Sequence, residues 1–323
     1  MNQPPFQITS KILNLAAEIQ TLLGEFKSLA RLKPPLKLRK ENKIKTIHHS
    51  LAIEGSSLSE EQITALMESK RVLGPKKQII EVQNALRLYD LINHFDPFKE
   101  KDFLKAHQIL MKDLIEKPGS YRKSAVGIFK GNQVTRMAPP DKRVPELMET
   151  LFYFLKSDKE TLNLIKACVF HYEVELIHPF LDGNGRMGRL WQQLILMKSS
   201  SVFEYLPVES LIHRYQKEYY KSLEVNDKKG ESTPFIEFSL EMILRALHQY
   251  SPKLFTTKPK ISDRIELALE HFGSHPFSRK DYLLLHKGLS AATASRDLAK
   301  AVSEKKMKLF GTKARATYRK INT

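Results

Sequence analysis

The chain has 323 residues, 41% of them apolar and 28% charged, which is an ordinary globular composition with room for about two domains. No window approaches the ~18 uninterrupted apolar residues of a membrane span, and Met1–Phe6 lacks the basic start and apolar core of a secretory signal. The formal charge of +17 favours anionic partners, and the single cysteine, Cys168, rules out an intrachain disulfide, as suits a cytoplasmic protein.

Apolar residues recur with a helical period from Ile12 to Leu32, and Pro34-Pro35 stops that helix. A second helix is predicted from Lys43 to Ala52 and breaks at Gly55-Ser56-Ser57. Ser59 followed by Glu60-Glu61-Gln62 predicts a capped helix start, running to about Lys70. Further helices are predicted over Lys77–Phe95 and Asp102–Ile115. Ser124–Phe129, the turn Gly131-Asn132 and Gln133–Ala138 read as a β-hairpin. Val144–Lys156 returns to helix. Leu162–Ile177 is apolar nearly all round, which predicts a helix buried in the middle of a bundle, with Cys168 an inert thiol inside it. Helices follow over Arg186–Lys198, Ser210–Val225 and Phe235–Tyr250. Ser251–Lys260 is polar, holds two prolines and reads as a linker.

Between two of these helices lies His178-Pro179-Phe180-Leu181-Asp182-Gly183-Asn184-Gly185-Arg186-Met187-Gly188-Arg189. A helix beginning near Asn184 presents free amides and a partial positive charge, which is a natural anion site. Gly183 and Gly185 let several amides turn inward. Arg186 and Arg189 are three apart, share a helical face and can converge on a phosphate chain. A carboxylate beside phosphates, here Asp182, is the usual holder of Mg2+ or Mn2+. His178 has the near-neutral pKa of a general base. The proline after it predicts an extended backbone that keeps the ring out of the helix.

At every defining position this run resembles the signature His-Pro-Phe-x-Asp/Glu-Gly-Asn-Gly-Arg-x-x-Arg of Fic-domain proteins. Its Gly-Asn-Gly-Arg form departs from the phosphotransferring Doc-type relatives. The resemblance implies a mainly α fold: a Fic helical bundle with a β-hairpin flap. It also implies transfer of AMP from ATP to a Ser, Thr or Tyr hydroxyl of a target protein. His178 would deprotonate that hydroxyl and Asp182 would hold the metal. Gly183, Asn184 and Gly185 would form the anion loop, with Arg186 and Arg189 orienting the phosphates. Phe180 would pin the loop by packing.

Ser50-Leu51-Ala52-Ile53-Glu54-Gly55 resembles the inhibitory signature Ser/Thr-x-x-x-Glu-Gly/Asn of many Fic proteins. The resemblance implies that Ser50 and Glu54 restrain the site, with Glu54 pairing Arg189 where the γ-phosphate would lie. In some relatives the same glutamate supports AMP removal. The hairpin corresponds to the target-docking flap, with Val134, Thr135, Arg136 and Met137 nearest the active site. Tyr219 and Tyr220 would line the adenine pocket, although a helix packing one tyrosine into the core is an equal reading. Asp227 stands where the family often has asparagine, with Asn226 offset by one.

From Ser251 onward there are sixteen Lys/Arg against six Asp/Glu, so more than half the surplus lies in under a quarter of the chain. Three short helices and a basic hairpin, Met307–Ile321, look like a winged helix. Thr293, Ser295 and Arg296 would open its recognition helix, with Lys313 and Arg315 on the wing. DNA contact and protein contact both stay open for it, as does a homodimer. The domains are thus residues 1–100, a helical region with the inhibitory motif; 101–250, the catalytic core; 251–261, a linker; and 262–323, the winged helix. The alternative function is a nucleotide-sensing DNA-binding regulator with little turnover.

Overall fold

The computed structural model describes residues 3–29, 34, 36–130, 133–255, 261–286, 288–312 and 316–321. Two compact units emerge, Met1–Ala30 with Lys40–Pro252, and Arg31–Arg39 with Lys253–Thr323. Among the described residues no helix is long and apolar enough to cross a membrane.

The first unit is a helical bundle. Its elements are α1 (Ser10–Leu29), most of α2 (Leu36–Ile53), α3 (Glu60–Met67), α4 (Lys76–Asp90), α5 (Glu100–Leu110), strands β1 (Gly127–Lys130) and β2 (Gln133–Met137), then α6 (Val144–Ser157), α7 (Asn163–Ile177), α8 (Asn184–Met197), α9 (Val208–Arg214), α10 (Gln216–Lys229) and α11 (Thr233–Phe255). The expected boundaries hold to a few residues in most cases, but α4 and α5 end at Asp90 and Leu110, each five residues before the expected Phe95 and Ile115, and other differences follow. α2 begins at Leu36 rather than Lys43, because Leu36-Lys37-Leu38-Arg39-Lys40 consists of good helix formers that show little apolar period. α8 begins at Asn184, as expected, with Gly183 as its left-handed cap. The single helix expected over Ser210–Val225 is two, broken at Tyr215 (φ −106°, ψ 37°). α11 runs to Phe255, into the stretch read as a linker, and residues 256–260 lie outside the described residues.

α3 starts as the sequence predicts: the Ser59 hydroxyl accepts from the Gln62 amide while the Gln62 side chain accepts from the Ser59 amide. α7 is buried on every side, including Lys166, His171 and Glu173, and pairs with α8 at the centre of the bundle. Cys168 lies inside, and burial pushes its thiol up to about 12, so it is inert. Phe103 of α5 gathers Phe152, Phe170, Phe180 and Trp191 around it with ring centroids 5.0–5.8 Å away. These rings bind α5, α6, α7, α8 and the loop between α7 and α8 into one core.

β1 and β2 pair antiparallel. The register passes from Ile128–Arg136 to Phe129–Val134, so Thr135 is the extra residue of a bulge. The turn Gly131-Asn132 lies outside the described residues.

The second unit carries α12 (Ile261–Phe272), β3 (Phe277–Ser278), α13 (Arg279–Leu285), α14 (Ala291–Ser303), β4 (Met307–Phe310) and β5 (Thr317–Lys320). The strands form an antiparallel sheet in the order β3-β5-β4. This is the expected three helices and hairpin, plus one short strand that two residues were too few to reveal. Lys313 and Arg315 lie outside the described residues. Its core is Ile265, Ala268, Phe277, Tyr282, Ala294, Leu298, Ala301 and Met307. Beside them Asp297 is fully buried. It accepts from Arg264 through both oxygens (2.6 and 2.9 Å) and from the Tyr282 hydroxyl at 3.1 Å.

Removing one partner of a buried pair strands the other charge, at about 3–5 kcal/mol. In a calorimetric scan, Asp297→Ala moves a transition down by roughly 10 °C or more. An unshifted scan contradicts this account of the second unit.

Candidate active site

His178 ends α7. Its backbone is left-handed (φ 51°, ψ 59°), not extended as the following proline predicts. Proline disfavours the right-handed helical region for its predecessor, and the chain takes the left-handed cap instead. Such a conformation carries about 1–3 kcal/mol of strain, so the surroundings must hold it. Arg122 does so. Buried, it donates Nε to the His178 carbonyl at 2.7 Å, Nη1 to Ser124 O at 2.8 Å and Nη2 to Pro139 O at 2.5 Å. Its backbone amide donates to Pro179 O at 2.9 Å. One guanidinium thus ties both feet of the hairpin to the residue that carries the imidazole.

The loop after His178 is held from below. The Phe180 ring stacks on His107, with centroids 3.5 Å apart and planes at 5°. His107 Nδ1 accepts from the Gly119 amide at 2.9 Å, so Nε2 bears the hydrogen and donates to Asp182 O at 3.0 Å. Burial holds His107 down at about 4, consistent with that neutral form. Asn184 closes the loop on itself. Its side chain accepts from the Phe180 amide and donates to the Phe180 carbonyl, at 2.9 and 3.0 Å. Its side-chain amide is therefore spent on the fold, and only its backbone N–H is offered to an anion. Gly183 caps α8 at φ +88°, where a Cβ would sit 2.9 Å from Met111 Sδ. The first turn of α8 points its amides outward beyond this cap, with the first internal bond made by Met187 N to Gly183 O.

Asp182 Oδ1 accepts from the Gly183 amide at 2.6 Å and from Arg186 Nη2 at 2.8 Å. Its side chain is 41% exposed, and Oδ2 takes no hydrogen bond among the described residues. One open carboxylate oxygen beside a helix N-terminus is a donor that Mg2+ shared with phosphates can use, so the residues fit that ion.

The two arginines lie on α8 as predicted, yet they do not share a partner. Arg186 spans Asp182 and Glu81 of α4, the latter at 3.2 Å. Arg189, 2% exposed, donates Nε to Ser50 Oγ (3.1 Å), and Nη2 to Ser50 O (3.0 Å) and Glu54 Oε1 (2.7 Å). Ser50 and Glu54 therefore both meet Arg189. Burial works against the charge on Arg189, but Glu54, Tyr219 and Glu175 outweigh it and hold its pKa above the ordinary value. Arg189 Nη1 is buried with no hydrogen-bond partner. A Cβ on Gly185 would lie 3.0 Å from that Nη1, 2.5 Å from Glu54 Oε1 and 3.0 Å from Glu175 Oε1. The Glu54 carboxylate thus lies over the first turn of α8, where an anion is most favoured. Gly55, at φ +90°, turns the chain away directly afterwards.

Of the tyrosine pair, Tyr219 is 1% exposed and has no face open to a base. Its hydroxyl donates to Glu175 Oε1 at 2.9 Å and its ring packs on His171 and Phe235. Tyr220 stays at the surface, and its hydroxyl donates to Ile53 O at 3.1 Å, the carbonyl just before Glu54. Asn226 is fully buried, with Oδ1 unpartnered. Val134, Thr135, Arg136 and Met137 lie on β2.

The Fic/DOC family model matches residues 97–196, which takes in α5 to α8 and the whole loop. A crystal structure of a Fic family protein from Desulfovibrio desulfuricans G20 is 39% identical, with a TM-score of 0.75, over 100% of this chain and 99% of that one. The chain belongs to the Fic family. Among curated relatives, the protein adenylyltransferase fic-1 of Caenorhabditis elegans is 28% identical over 75% of this chain and 48% of its own length. The protein adenylyltransferase Fic of Aedes aegypti is 31% identical over 65% and 42%. The chain spans about half the length of the curated relatives it matches.

Sequence reasoning missed several residues of this Fic site. Arg122, His107, Glu81 and Glu175 carry no local motif, and each reaches the loop from another element. Glu209 of α9 was missed as well. Buried at 3% exposure, it shares a small cavity with Arg189, Gln192, Gln193, Phe203 and Ile212. Its Oε2 has no hydrogen-bond partner. Burial pushes its carboxyl up to about 7, against the pull of Arg189 and the Thr46 hydroxyl.

A carboxyl whose folded pKa lies above its unfolded value weakens the fold as pH rises, here from about 4.5 to 7, by at most about 3 kcal/mol. Glu209→Gln removes that penalty. Its stability relative to wild type, read by urea unfolding, rises between pH 5 and pH 8. A pH-independent difference contradicts the buried carboxyl.

Proposed function

We propose that this Fic protein is an adenylyltransferase that moves AMP from ATP to a Ser, Thr or Tyr hydroxyl of a target protein, and that Glu54 restrains it. The observation that carries the reading is the Glu54 carboxylate seated on Arg189 over Gly185, at the anion end of α8. An acidic side chain there stands in for the terminal phosphate of a triphosphate. The adenylyltransferase names of the relatives support the same chemistry.

In this reading the phosphates lie on the backbone amides of Asn184, Gly185 and Arg186, with Arg189 Nη1 already without a partner to receive one. Arg186 neutralises charge from beside Asp182. Asp182 would hold Mg2+ through its open oxygen, and the ion would supply neutralisation of the triphosphate. The His178 imidazole takes the proton of the incoming hydroxyl. That oxygen bonds to the α-phosphorus as the bond to pyrophosphate breaks, in line. Arg122, which holds the His178 backbone and both feet of the hairpin, sets base and docking strand relative to each other. β2, with Val134 to Met137, is the strand we assign to the target segment. The base pocket takes Tyr220 at its rim, with Tyr219 behind it. The winged-helix reading of the second unit rests on its element order and leaves its partner, DNA or protein, to experiment. The regulator alternative has no observation that favours it over transfer. The need for ATP and the reduced Cys168 agree with a cytoplasmic setting.

With α-32P-labelled ATP and Mg2+, Glu54→Gly gives at least ten-fold more label on protein than wild type. His178→Ala in the Glu54→Gly background gives none, and mass spectrometry finds the increment of one AMP on a hydroxyl side chain. Equal labelling by wild type and Glu54→Gly across a cell lysate contradicts the restraint. Label that survives loss of His178 contradicts the base.

A further inference from the structure

Beside the restraining motif, three helices bring metal-ligating groups together, and the proposed reaction does not use them. His48 and His49 lie on α2, directly before Ser50. Glu60 opens α3, and His213 lies on α9. Donor atoms of His48, His49 and Glu60 all fall within 4.8 Å of one another. The His48 and His49 rings are 4.8 Å apart, and the His49 and His213 rings 5.1 Å.

We propose that His48, His49 and Glu60 form a binding site for a divalent transition-metal ion of the Zn2+ type.

The orientation of each group supports this. His49 Nδ1 lies 2.8 Å from Lys45 O, and a carbonyl only accepts, so Nδ1 carries the hydrogen and Nε2 keeps its lone pair. Metal-bound histidines are usually oriented in this way by a backbone carbonyl. His48 Nδ1 is buried with no hydrogen-bond partner, 3.7 Å from Glu60 Oε1. A buried imidazole nitrogen facing a carboxylate oxygen across a gap too wide for a hydrogen bond leaves room for an ion between them. A tetrahedral ion with bonds of about 2.0–2.1 Å holds its donors roughly 3.4 Å apart. Small inward rotations of the half-buried rings close the observed spread to that value.

Charge and softness point the same way. The two imidazoles offer nitrogen donors, and Glu60 supplies a carboxylate against the ion. Two imidazoles and one carboxylate select Zn2+, Co2+, Ni2+ or Cu2+ over Mg2+, which prefers oxygen. The ion would close a ring of chain from His49 to Glu60, and Glu54 lies inside that ring. On the transfer reading, occupancy therefore stiffens the segment that carries the restraining carboxylate.

The test reads the metal and not the reaction. Tag-free, full-length protein is stripped with chelator, returned to excess Mg2+ so that oxygen sites are filled, and titrated with Co2+. The expected result is visible d–d absorption that saturates at one Co2+ per chain and is bleached by one equivalent of Zn2+. His48→Gln and Glu60→Gln each weaken Co2+ by at least about ten-fold. Zn2+ raises the melting temperature of wild type and leaves both variants unmoved. Both side chains are partly exposed, so the stripped variants melt within a few degrees of stripped wild type, which separates lost binding from lost folding. Absence of the absorption, or absorption that both variants retain in full, overturns the proposal. Neither result bears on adenylyl transfer.

Discussion

A guanidinium buried at the centre of a helical bundle must face an anion. Arg189 is enclosed by α2, α8, α9 and α10, and stranding its charge would lose about 3–5 kcal/mol. In this conformation Glu54 meets the need, with Ser50 accepting from Nε and Nη2 and Nη1 left without a hydrogen-bond partner. Glu54 itself is more than a third exposed, at the end of its helix and before a glycine turn. The cation is fixed and its counter-ion is at the rim. On the proposed reading the pair can exchange one anion for another, and a triphosphate arriving over Gly185 would take the place that the carboxylate leaves.

The rest of the site keeps that exchange in register. Asn184 and the His107–Phe180 stack lock the loop from inside, and Arg122 locks His178 from outside. Arg186 remains on Glu81 and Asp182, so the two arginines meet different acids and serve different parts of one anion. Tyr220 and Gln216 both donate to the Ile53 carbonyl, which couples the end of α2 to the helix assigned to the base pocket.

Much of this was legible in the sequence because the reacting groups are contiguous. Twelve residues carry the groups proposed as base, metal ligand, anion loop and arginines, and Ser50 and Glu54 lie one helical turn apart. α7 was legible from its apolar faces, and α3 from its cap. What stayed hidden depends on distant partners. Arg122 acts on residues up to 57 positions away, Glu81 meets Arg186 across 105, and Glu209 is defined only by the cavity around it. Tyr219 and Tyr220 are neighbours in sequence with opposite fates, since adjacent positions on a helix differ by about 100°. The break at Tyr215 and the left-handed His178 are local conformations that packing imposes against propensity.

The central claim is that one carboxylate and one triphosphate compete for Arg189. Calorimetric titration with a non-hydrolysable ATP analogue and Mg2+ tests it directly. Glu54→Gly should bind at least about ten-fold tighter than wild type, and Arg189→Ala in the same background should abolish the gain. Equal affinity of wild type and Glu54→Gly, or a gain that persists without Arg189, would contradict the account.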